Sequence, residues 1–105
     1  MVLLEMSITP LGVGESVSAY LAECADIIDR SGFDYEVHAM GMIVEGELDG
    51  VLDLMRRCME QVAKHCDRVT CAAKVDFRRG QSGRLKSKVA SVEQKLGRRL
   101  QKGAN

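Results

Sequence analysis

Tryptophan is absent from the 105 residues, and there are only two Phe, two Tyr and one Pro. The core must therefore be filled by Leu, Val, Ile, Met and Cys. Six Met residues make such a core adaptable, and make a forgiving pocket wall if a pocket exists. No apolar run approaches the ~20 residues that a membrane-spanning helix needs. No basic segment precedes Met1-Val2-Leu3-Leu4, and Glu5 interrupts it, so no signal peptide is read. A cytoplasmic protein without membrane contact is expected. The four cysteines, Cys24, Cys58, Cys66 and Cys71, show no CxxC spacing, and His38 and His65 complete no zinc pattern. They read as buried free thiols, and neither metal nor cofactor is expected. A net charge of zero hides a split. Residues 1–77 hold 14 acidic and 6 basic side chains, whereas residues 78–105 hold 1 and 9. Such asymmetry suits either a nucleic-acid tail or a tail lying on an acidic body, its own or a neighbour's.

At this length the chain is one domain, 1–105, with a core over 1–79. Val2, Leu4, Met6 and Ile8 alternate with Leu3, Glu5, Ser7 and Thr9, which predicts a strand with one apolar and one polar face. Pro10 is expected to end it. Gly12-Val13-Gly14 opens like a dinucleotide loop, but position 17 is Val and the chain is too short for that fold. Ser16 is the expected N-cap of a helix carrying Val17, Tyr20, Leu21, Cys24, Ile27 and Ile28 on one side, with Gly32 just past its end. Residues 35–40 read as a second strand. It is joined by a short Met40-Gly41 connection to a third, Met40-Gly41-Met42-Ile43-Val44-Glu45-Gly46-Glu47. Asp49 is the expected cap of a second helix, whose buried stripe is Leu52, Met55, Cys58, Met59, Val62, Ala63 and Cys66. Residues 68–78 alternate as a long fourth strand. Leu85, Val89, Val92, Leu96 and Leu100 then mark a basic helix over about 84–101.

The order strand, helix, strand, strand, helix, strand predicts an α+β, ferredoxin-like sandwich. Its four-stranded antiparallel sheet carries two helices on one face, with the C-terminal helix in addition. The other face would collect Glu5, Ser7, Thr9, His38, Ile43, Glu45, Thr70, Lys74 and Asp76. That face reads either as a solvated or oligomer interface or as the polar floor of a small-molecule site. Glu45 is the carboxylate expected nearest such a site. Histidine's titration near neutrality keeps acid–base work open at His38, with Glu45 or Asp76 as partner. Nucleic-acid binding through Arg84, Lys86, Lys88, Lys95, Arg98, Arg99 and Lys102 is disfavoured. No aromatic platform accompanies these charges, and the acidic body repels a polyanion.

Four stretches carry a family likeness: 5–12, 16–20, 40–47, and Arg68-Val69 with Lys74-Val75-Asp76-Phe77-Arg78. Taken in this order, the chain resembles the thiamine-binding-protein-like family over nearly its whole length. The resemblance implies a ferredoxin-like fold, and assembly into dimers or tetramers through sheets and extra helices. It also implies binding, without established catalysis, of thiamine or its hydroxymethylpyrimidine half. Glu45, Ser7 and Thr9 could meet an aminopyrimidine, with His38 beside them, and Tyr35 and Met42 could pack against a ring. Members usually carry Thr where this chain has Met42. If that hydroxyl contacts the ligand, affinity here is weaker or the ligand differs. The alternative is an oligomeric scaffold or regulatory module with no ligand of its own.

Overall fold

The computed structural model describes residues 1–14, 17–80 and 82–100. Seven elements follow the expected order: β1 (Val2–Leu11), α1 (Ser18–Arg30), β2 (Asp34–His38), β3 (Gly41–Gly46), α2 (Leu48–Ala63), β4 (Arg68–Phe77) and α3 (Arg84–Leu96). The sheet is antiparallel in the order β2-β3-β1-β4, the ferredoxin-like arrangement. Alternation along β1 sends Val2, Leu4, Met6 and Ile8 into the core, where they meet Met42 and Val44 of β3, Cys24 and Ile28 of α1, and Val51, Leu54, Cys58 and Val62 of α2. Phe33 packs against this core, its ring lying over Gly46 and Gly50, where a Cβ would come within 2.5 and 2.7 Å of it. No helix among the described residues is long and apolar enough to cross a membrane.

Several boundaries differ from the sequence expectation. Ser16, the expected cap of α1, lies outside the described residues. Pro10 does not end β1 but pairs with Val69 inside it. The reason is the unequal pairing of β1: with β4 it runs from Val2 to Leu11, with β3 only from Val2 to Met6. Proline lacks an N–H, and at position 10 none is needed on the β3 side. Glu47, not Asp49, precedes α2, and Asp49 sits in its first turn. The buried stripe of α2 is Val51, Leu54, Cys58 and Val62, and Leu52 is exposed. Both 51–52 and 54–55 are apolar pairs, so periodicity admits either rotation, and the fit to the sheet selects one. Finally, α3 stops at Leu96, because Gly97 takes the left-handed conformation and its N–H bonds back to Glu93 O at 2.9 Å. Leu100 lies beyond the helix.

The start of α3 is fastened to the sheet by charge. Asp76 accepts from Lys88 Nζ at 2.6 Å and pairs with Arg84 at 2.9 Å, while Arg84 also donates to the Asp76 carbonyl at 2.8 Å. The Lys88 hydrogen bond, then the Arg84 charge, hold the Asp76 carboxyl below the usual carboxylate range. A carboxyl depressed in the folded state contributes stability above its unfolded value near ~3.9, and that contribution is lost as pH falls through the folded value. On acidification below about pH 4, amide protection in α3 is therefore expected to fall before that of the sheet. Lys88→Ala should weaken this pH dependence, as hydrogen exchange read by NMR would reveal.

Candidate functional site

Sheet register decides which of the candidate side chains can meet. Leu3 lies opposite Glu45, Glu5 opposite Ile43 and Lys74, and Thr9 opposite Thr70, so these groups share the face away from α1 and α2. Opposite charges thus sit directly across from each other at Glu5 and Lys74. Tyr35 and Met42 lie on the other face. Met42 is buried in the core, and the Tyr35 hydroxyl donates to Asp29 Oδ1 on α1 at 2.6 Å. That hydrogen bond raises the phenol above its ordinary range.

Glu45 is not the floor of an open site. It is 4% exposed, and its Oε2 accepts the Arg84 backbone N–H at 2.9 Å. Arg84 is the first residue of α3, so the carboxylate sits at the N-terminus of that helix, where free N–H groups and the helix dipole favour an anion. His38, Glu45 and Asp76 do not converge. His38 pairs with Gly41 at the hairpin end of the sheet, while Glu45 and Asp76 hold α3 at the other end. Arg84 and Lys88, two of the cations considered for nucleic acid, are committed to Asp76.

Four of the six candidates do border one cavity. The hairpin turns back at Ala39-Met40, while β1 runs on to Leu11, and the gap between them forms a notch covered by α1. Its volume is about 160 Å³, the size of a single substituted ring. Ser7, Ile8 and Thr9 border it from β1, Val17, Leu21 and Ala25 from the α1 side, and residues 37–42 from the hairpin. Its lining is mainly apolar with a few polar groups, the usual character of a small-ligand site. The imidazole of His38 is oriented by the Met40 N–H, which donates to Nδ1 at 3.2 Å. In the neutral ring the proton then sits on Nε2. That buried nitrogen has no hydrogen-bond partner among the described residues, and Glu5 Oε2 is 3.7 Å away.

Sequence reasoning missed the walls Val17, Leu21, Ala25 and Val37, and it missed the backbone of Ile8. A signal for the latter exists in Pro10, a proline inside an otherwise regular alternation, which marks a strand edge without a neighbour. A wider groove of about 660 Å³ lies between residues 11–13 and residues 63–68. It is more open; within it His65 is engaged with Glu23 at 2.9 Å, and the Cys66 thiol lies within reach of the Val62 and Arg68 carbonyls.

Known proteins resemble this chain over most of its length. A UPF0045 protein of Mycobacterium bovis is 38% identical over 96 residues, covering 90% of this chain and 94% of that one. A hypothetical protein of Methanocaldococcus jannaschii with a solved structure is 32% identical, superposes with a TM-score of 0.80, and covers 87% of this chain and 94% of its own. A Thermotoga maritima structure, provisionally described as a thiamine biosynthesis/salvage protein, shares the fold at 19% identity with a TM-score of 0.76, over 87% of this chain and 97% of that one. Residues 4–93 match the family model for thiamine-binding protein, and the chain therefore belongs to that family.

Proposed function

We propose that this protein binds thiamine, or its hydroxymethylpyrimidine half, non-catalytically in the notch between β1, the β2–β3 hairpin and α1. The observation that carries the reading is the notch itself: ring-sized, with apolar walls, and bordered by Ser7, Thr9 and His38. Family membership and the description of the Thermotoga maritima neighbour support it. The volume favours the pyrimidine ring as the seated part, with the thiazolium outside. Met42 is then a wall of the cavity rather than a hydroxyl donor, which is consistent with its burial.

Isothermal titration with thiamine and with hydroxymethylpyrimidine tests the proposal. One ligand per chain is expected, and Ala25→Leu, which fills the notch from α1, should weaken binding tenfold or more with the fold intact. At a ligand concentration of 100 Kd, linkage should stabilise the fold by about 2.7 kcal/mol. No heat and no thermal shift at millimolar ligand would refute the reading.

A second reading, an oligomeric scaffold, is favoured by one observation. The distal half of α3 leaves Val92 49% and Leu96 50% exposed on a basic helix, while the body of the chain is acidic. Assembly into dimers or tetramers is proposed on this ground, and light scattering coupled to gel filtration would test it.

A further inference from the structure

From the strand register we infer that the notch reads its ligand through the main chain of Ile8, and that its ligand class is a planar ring bearing a hydrogen-bond donor and an acceptor on adjacent atoms. The inference rests on the notch being the binding site. In a strand, the N–H and C=O of one residue point to the same edge, and alternate residues point to opposite edges. The Met6 carbonyl oxygen points to β3, because a Cβ built on Gly41 would lie 2.5 Å from it. The same parity turns the N–H and C=O of Ile8 towards the β3 side. There, pairing has already ended at Met6 with Met42. The position that would pair with Ile8 falls at Met40, in the turn, whose own N–H is committed to His38.

Ile8 is 3% exposed and borders the cavity. Its backbone groups have no hydrogen-bond partner among the described residues on that side. A buried main-chain donor and acceptor are rarely left unpaired in native proteins. At Pro10, the next residue of the same parity, the donor is removed altogether. Ile8 thus offers the only complete donor–acceptor pair of the described β1 edge beyond Met6.

An amidine-like edge, in which a ring nitrogen accepts from Ile8 N–H and an exocyclic amine donates to Ile8 C=O, satisfies both groups at once. A 4-aminopyrimidine carries such an edge. An extended peptide would present the same pair, but a cavity of about 160 Å³ admits one ring and not a strand. Specificity would then lie in the backbone, where side-chain substitution does not reach it.

The test compares hydroxymethylpyrimidine with its analogue in which the 4-amino group is replaced by methyl, a change of donor at nearly constant shape. Tenfold or greater weakening is expected for the methyl analogue. In ¹⁵N-labelled protein, the Ile8 amide proton should move downfield as the amine-bearing ring is added. Ile8→Pro deletes the donor without touching the β4 ladder, as Pro10 already does two residues on, and should weaken binding tenfold. Should that variant fail to fold, the analogue comparison and the Ile8 amide shift in the unmodified chain still decide. Equal affinity for the two rings with a stationary Ile8 amide overturns the inference while leaving the notch as a site. Failure of both rings to bind overturns the notch reading itself.

Discussion

Replacing Glu45 with alanine is expected to free α3 from the sheet. The carboxylate is buried, and it takes the first N–H of a helix whose own preceding residue, Gly83, offers no side-chain cap. Loss of an N-cap typically costs about 1 kcal/mol. A carboxylate at a helix N-terminus adds roughly 0.3–1 kcal/mol, and the buried N–H left behind adds its own desolvation. Together about 2 kcal/mol should be lost, which in a domain of this size lowers Tm by roughly 10 °C. Hydrogen exchange should show α3 amides losing protection first, with the sheet little changed. Glu45→Gln keeps an acceptor and loses the charge, so a smaller loss is expected. A ligand role for Glu45 predicts the reverse: α3 protection unchanged in both variants, and binding abolished. That result would place the carboxylate in a site and remove it from the docking of α3.

The strand and helix order and the two faces of β1 were legible because alternation and helical period carry them directly. Which side chains would share a site was less so. Alternation already separates Met42, in step with Val44, from Glu45, in step with Ile43. Grouping Met42 with Glu45 in one pocket ignored that parity. Glu45 misled for a physical reason. A carboxylate in an apolar strand demands a partner, and from sequence a ligand and a distant helix N-terminus are equal candidates. The docking of Arg84 onto it spans 39 positions, beyond the reach of any local pattern. The notch was illegible for the same reason, since it is made by a hairpin ending short of its neighbour. Beside Ser7, Thr9 and His38 it is bordered by the backbone of Ile8, which no residue letter names.

Gly41 is where fold and site meet, and Gly41→Ala is expected to damage both. Its φ of 153° is rarely adopted by residues with side chains, a strain of about 1–3 kcal/mol. The added methyl would also lie 2.5 Å from the Met6 carbonyl oxygen, a main-chain atom that cannot swing aside. Relief requires the hairpin to move off β1, weakening the last pairing before the notch. A loss of about 3 kcal/mol or more is expected, a large share of the roughly 5–15 kcal/mol that holds a domain folded. Gly12→Ala provides the comparison. Its φ is 78°, but nothing lies within 4 Å of the added carbon. Only the left-handed penalty of about 1–2 kcal/mol applies there. Urea denaturation of both variants, with ligand titration of each, separates the effects. Gly12→Ala should keep binding, whereas Gly41→Ala, whose hairpin forms one wall of the cavity, should lose tenfold or more in affinity even where it is fully folded. Equal stability of the two variants would mean that the hairpin is free to shift. A wall that shifts so easily could not hold a ring against the edge of β1.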